Sequence, residues 1–314
     1  MPPSLTSTKA AFQLGQLDRY VYSEEMHKFH SLLFEYSDLI RGGDVRAVEV
    51  LPGKVVVVSN RGVRFGCDTE DRYTAPFQLL NFGTYEPTEW GILEYLISPT
   101  MNVFDVGANV GWYSLNIACI VPAGHVFAFE PVPSTFEQLK SNVVLNDFSN
   151  VSVHGFGISD HEGADTFYVS PEMSPAASAA RIKDVNRLQE ICCHVRRLDD
   201  VWNEIGATVD FIKCDVEGAE LLVLRGGTAC IQQCLPIILC EMLRKWSAKF
   251  GYHPNEIIAL LEGFGYECYE VAASGLRHFY RMDENTKSTN FVFLHRDRHS
   301  SLIERSIRDR RLAP

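Results

Sequence analysis

The chain has 314 residues, is 46% hydrophobic and 22% charged, and carries a formal net charge of −11. That length and apolar share suit a full α/β core, and no stretch approaches the ~20 apolar residues that span a bilayer. The acidic balance argues against a nucleic-acid binder, which needs a basic stripe to neutralise phosphates. The N-terminus lacks a charged region followed by an apolar one, so it does not read as a secretory signal.

In chain order, "SEEMHKFHSLLFEYSDLIRGG" spaces apolar groups at three- and four-residue steps and stops at Gly42–Gly43, which predicts a helix. Next, "VRAVEVLPGKVVVVSNRGVRFGC" reads as a hairpin or meander of short β-branched strands. From residue 100 the rhythm becomes strand, helix, strand, helix. Seven core strands are expected in "NVFDV", "HVFAFE", "VSVHGFGIS", "VDFIKCDV", "PIILCEM", "YECYEV" and "NFVFLH". "ADTFYVS" and "CHVRRLDDV" read as accessory strands, and "PEMSPAASAARI" between them as a mobile loop. Helices are expected in "WYSLNIACI", in "PSTFEQLKSNVVLND" with Ser134 as N-cap, in "GAELLVLRGG" and in "PNEIIALLEGFG". The fold class is therefore α/β: a mostly parallel sheet with helices on both faces. A helical and β-hairpin extension over 1–80 precedes the main domain, 81–314. The basic C-terminal "RDRHSSLIERSIRDRR" reads as a solvated helix.

The nine cysteines are odd in number, and several lie in apolar runs. They read as reduced thiols of a cytoplasmic chain. Cys192–Cys193–His194 has no second ligand pair at zinc spacing, so no metal is assigned there.

Ligands of such sheets bind beyond the carboxyl ends of the strands. In "NVFDVGANVGWYSLN", Asp105 sits at the first of these ends. Gly107 and Gly111 let the backbone approach a ligand, and Asn109 tolerates unusual angles. The pattern is not G-x-G-x-x-G, and an acid beside the turn would repel a diphosphate. It suits a cationic amine. Glu130 ends the second strand, where an acid takes the hydroxyls of a ribose. Amine plus ribose describes S-adenosylmethionine better than NAD or ATP. The competing reading makes Gly107 and Gly111 mere turn formers and Asp105 a helix cap.

A second constellation is "FIKCDVEGAE". Lys213, Asp215 and Glu217 share a face until the turn breaks the period. Either Lys213 forms a structural pair with a carboxylate, or the group orients a hydroxyl acceptor and takes its proton. Glu220 favours the dipole of the next helix. Glu241 ends "PIILCEM" on the same side; three carboxylates could bind Mg²⁺, but no metal is assigned without geometry. Trp112 and Tyr113 read as core or pocket wall, and His253 as a surface loop residue. Tyr85 and Glu86 could reach over the cofactor or be ordinary turn residues.

The segments "GTYEPTE", "VFDVGANVGWYSLNIA", "VFAFEPVPSTFEQLKSNVVLN", "RRLDDV", "DFIKCDVEGAELLVLRGG", "PIILCEM" and "NFVFLH" stand in the order of a known family. Over about residues 80–296 the chain resembles the FkbM family of S-adenosylmethionine-dependent methyltransferases. The resemblance implies a class I, Rossmann-like methyltransferase fold, a seven-stranded sheet whose last strand runs antiparallel. It also implies methyl transfer, usually to a hydroxyl of a sugar or secondary metabolite. By position, Asp105, Gly107, Asn109 and Gly111 would hold the methionine end and Glu130 the ribose. Gly157, Ile158 and Ser159 would line the adenine, and Asp215 would sit at the acceptor side. Cys214 departs from the aliphatic residue expected there. A nicotinamide oxidoreductase and a non-catalytic cofactor-binding module are the alternatives, and a homo-oligomer is left open.

Overall fold

The computed structural model describes residues 4–170, 173–178, 188–272 and 275–308. Its strands are β1 (Val45–Leu51), β2 (Lys54–Ser59), β3 (Arg64–Gly66), β4 (Asn102–Val106), β5 (His125–Phe129), β6 (Val151–His154), β7 (Gly157–Ser159), β8 (Gly163–Ser170), β9 (Met173–Ser178), β10 (Gln189–Arg197), β11 (Phe211–Cys214), β12 (Ile237–Glu241), β13 (Tyr266–Ala272), β14 (Gly275–His278) and β15 (Asn290–His295). The main sheet runs β14-β13-β15-β12-β11-β4-β5-β6. β6, β5, β4, β11 and β12 are parallel, and β15 inserts antiparallel between β12 and β13. This is the expected seven-stranded sheet with its last strand antiparallel, and β14 is added at the edge.

The central strands are buried on both faces, and their side chains alternate strictly. Val103, Phe211, Leu239 and Val292 enter one apolar cluster with Trp112, Leu115 and Ile117 of the helix Trp112–Ile120. Phe104, Ile212, Ile238 and Phe293 enter the other with Leu221, Leu224, Ile257 and Leu261. Short, near-continuous apolar runs are what such a doubly covered parallel sheet requires.

The N-terminal region forms the helices Leu5–Gln13 and Arg19–Leu39 and the antiparallel meander β1-β2-β3. Val57, Phe65 and Leu79 of this region are fully buried in the same cluster as Trp112. Asn142 Oδ1 accepts the N–H of Gly66, and Asn146 Oδ1 that of Arg64, which ties β3 to the helix Pro133–Leu145.

Four expectations change. "VSVHGFGIS" is two strands: β6 belongs to the main sheet, whereas β7 pairs with β10 in a second sheet, β7-β10-β8-β9. The supposed loop at 171–182 contains β9, which pairs with the free edge of β8; the remainder of that stretch lies outside the described residues. "CHVRRLDDV" ends as a helix, Leu198–Ile205, where Asp199 accepts the N–H groups of Ala229 and Cys230. Ser134 is not an N-cap: the helix starts at Pro133, and Val132 occupies the cap position. Proline at the first helical position needs no N–H and already has a helical φ.

Among the described residues, no helix is long and apolar enough to cross a membrane. All nine cysteines are free thiols.

Candidate active site

A cavity opens at the carboxyl ends of β4, β5, β11 and β12. Its wall contains Tyr85, Glu86, Gly107, Asn109, Glu130, Lys213, Asp215, Glu217 and Glu241, with Trp112 and Tyr113 beside them. Residues nearly 160 positions apart thus converge on one space. Among the described residues, five outside glycine adopt a positive φ, and three of them, Glu86, Asn109 and Glu217, lie on this wall. Such strain persists where the surroundings over-determine it, and it concentrates at functional sites.

The first turn is wedged tightly. Gly107 has φ +82°, and a Cβ there would lie 1.8 Å from the carbonyl oxygen of Asp215. Only glycine lets the turns after β4 and β11 touch. Gly111, at φ +94°, packs against Leu139 behind the turn and is not on the cavity wall. Glu130 braces the turn. One carboxylate oxygen accepts the N–H of Asn109 at 3.0 Å and the other that of Val132 at 2.9 Å. Burial outweighs these donors and pushes the Glu130 carboxyl up to about 7.

Asp105 lies beneath the wall rather than on it. It is fully buried and accepts a hydrogen bond from Ser114 Oγ at 2.5 Å. Its cross-strand partner in the β4·β11 register is Lys213, whose ammonium stands 3.8 Å from the carboxylate. Lys213 also donates to Asp215 at 3.1 Å and sits 4.5 Å from the centre of the Tyr113 ring. Burial works against the Lys213 charge, but Asp215 and Asp105 outweigh it and raise its pKa. The ammonium therefore stays protonated, and Lys213 cannot accept a proton. Of the two readings left open by the sequence, the lysine–carboxylate pairing is present.

At the other end, Asp215, Glu217 and Glu241 bring carboxylate oxygens within 4.8 Å of one another. Burial first, and Asp215 second, raise the pKa values of both glutamates, which favours their protonated forms. Glu86 accepts a hydrogen bond from the Tyr113 hydroxyl. Burial raises its pKa also. Among the described lining residues, Lys213 is the single cation.

Gly157, Ile158 and Ser159 line a smaller recess that adjoins the main cavity through Gly107, Pro131, Phe167 and Val216. The sequence reading missed Pro131, Val132, Phe167 and Val216 as wall residues. Pro131 and Val132 directly follow Glu130 and were within reach of that motif; Phe167 arrives from the second sheet and carries no local signal. His253 is exposed and absent from the wall.

The family described as the methyltransferase FkbM domain matches residues 105–268, just over half of the chain. The protein belongs to the FkbM methyltransferase family. It is 32% identical over 231 residues to the AMB antimetabolite synthetase AmbE of Pseudomonas aeruginosa, a match that covers 56% of this chain and 11% of that one. It is 33% identical over 145 residues to Methyltransferase 1 of Beauveria bassiana, which covers 40% and 57%. Against the 31-O-demethyl-FK506 methyltransferase FkbM of Streptomyces tacrolimicus the identity is 30% over 192 residues, covering 52% and 72%. The chain thus spans less than two thirds of the length of the first two of these relatives.

Proposed function

We propose that this FkbM-family protein is an S-adenosylmethionine-dependent O-methyltransferase whose acceptor is a hydroxyl of a sugar or secondary metabolite. One observation carries the reading: the glycine turn braced by Glu130 and the Lys213–Asp215 pair share one cavity wall. The cofactor fits the residues present. Gly107 lets the turn after β4 pack directly on Asp215 and stands on the cavity wall, and Glu130 offers a carboxylate for paired hydroxyls. Asn109, Glu130 and the backbone of the turn would hold the methionine and ribose portions, with Tyr85 and Glu86 over them. Glu86 supplies an acid on the wall, and Asp105 acts from below through Lys213. The recess of Gly157, Ile158 and Ser159 would take the adenine. The Streptomyces relative, named as a 31-O-demethyl-FK506 methyltransferase, supports oxygen as the methylated atom.

When bound, the cofactor supplies a methyl group already activated on sulfur, so alignment is the protein's main contribution. Asp215 takes the acceptor proton, and the Lys213 ammonium, 3.1 Å away, holds its carboxylate in place. Protonated Glu217 and Glu241 donate hydrogen bonds to the acceptor instead of competing for its proton. Tyr85 and Trp112, edge to face with ring centres 5.4 Å apart, give the wall apolar surface. With five carboxyl groups on the wall and one committed cation, a neutral hydroxylated acceptor is favoured over an anionic one. A cytoplasmic location fits the nine free thiols.

The test is calorimetric titration with S-adenosylmethionine, followed by transfer of a radiolabelled methyl group to a panel of sugars, polyketides and hydroxylated peptides. Micromolar binding and label on an ether oxygen are expected. Absence of binding removes the reading, and label on nitrogen or carbon corrects it.

A further inference from the structure

The turn that carries Asp215 and Glu217 does not hold itself. Glu217 has φ +55° and Gly218 φ +105°. A side chain at 217 in this region is strained. The N–H groups of Val216 and Gly218 both donate to a single oxygen, Oε1 of Glu220, at 3.1 and 3.0 Å. Glu220 is 1% exposed and sits at the start of the helix Glu220–Gly226. Its other oxygen, Oε2, lies 3.2 Å from the hydroxyl of Tyr252, and that hydroxyl lies 2.8 Å from the carbonyl oxygen of Gly218. The N–H of Leu221 donates to the same hydroxyl at 3.4 Å. Neither Glu220 nor Tyr252 lines the cavity.

We infer that Glu220 and Tyr252 are positioning residues: they clamp the strained turn from behind and thereby fix Asp215 and Glu217 against the acceptor. This inference rests on the methyl-transfer reading. Tyr252 is buried, and its ring keeps the hydroxyl directed at the turn from a segment more than thirty residues downstream.

The hydroxyl has one proton and two acceptors. The shorter contact assigns it to the Gly218 carbonyl. The contact to Glu220 then closes when the carboxyl group carries a proton of its own and donates it to the Tyr252 oxygen. Burial favours that state, pushing the Glu220 carboxyl up to about 7. A glutamine at 220 reproduces this state. Its carbonyl accepts both N–H groups, and its amide donates to Tyr252.

The experiment uses the full chain, S-adenosylmethionine and the first acceptor that takes label. Tyr252→Phe should lower kcat ~10-fold, the worth of about one hydrogen bond, with cofactor affinity within twofold. Glu220→Ala should lower kcat further, and Glu220→Gln should restore it to within about threefold of the parent. Wild-type kcat in Tyr252→Phe, or a Glu220→Gln as inactive as Glu220→Ala, overturns the inference. Hydrogen–deuterium exchange separates its failure from failure of the methyl-transfer reading, because it needs no acceptor. In Tyr252→Phe the amides of Val216 and Gly218 should exchange ~10-fold faster while β11 is unchanged; unchanged exchange at both overturns the clamp.

Discussion

Two turns face each other across the cavity, and they handle charge in opposite ways. In the turn after β4, Asp105 is fully buried and pinned between Ser114 and Lys213. What remains on the wall is glycine and asparagine backbone. In the turn after β11, acids crowd the wall itself: Asp215 lies beside Lys213, and Glu217, with Glu241 from the end of β12, favours its proton. On the proposed reading, the first turn would bind by shape, and the second would offer its acids to an acceptor hydroxyl and its proton.

Removing the shared cation attacks both turns at once. Lys213→Met leaves Asp105 and Asp215 without their cation, and the expected loss is ~3–5 kcal/mol of stability, read by denaturant titration. A loss under about 1 kcal/mol would mean that the two acids do not depend on it. Asp215→Asn isolates the second turn. Turnover should fall by ~10²–10³ while cofactor affinity measured by calorimetry stays within about threefold. Gly107→Ala isolates the first. The added Cβ meets the Asp215 carbonyl, so cofactor affinity should drop by about 100-fold, with circular dichroism as the check on folding.

The pH dependence follows from the acids. The Glu130 and Glu220 carboxyls sit at about 7 in the folded protein, above their ordinary value of 4.5. The folded state therefore binds more protons than the unfolded one between those values, and stability falls as pH rises through that window. Melting of the cofactor-free protein should drop by roughly 5 °C or more between pH 5 and pH 8. A rising melting temperature over that range would show these acids to be ionised. The smallest effect is expected for Glu241→Gln, which mimics the protonated acid already favoured and should change stability by less than ~1 kcal/mol.

The same contrast explains what could be read in the sequence. The β4 turn is a contiguous motif, so Gly107 and Asn109 were legible, and Glu130 followed one repeat later. Lys213 was legible as a buried lysine in need of an acid, but its bond to Asp105 depends on strand register, which residue types do not state. That register also placed Asp105 below the wall. Tyr252 was invisible because its partners lie more than thirty positions away. β9 was missed because its pairing is supplied by the edge of β8 and not by apolar alternation of its own.

Lys213 touches acids that belong to both halves of the pocket. On the proposed reading, donor and acceptor subsites would draw on a common counter-ion, so that neither could be retuned alone. A variant selected for a new acceptor by altering charge around Asp215 should then change its grip on the methyl donor as well.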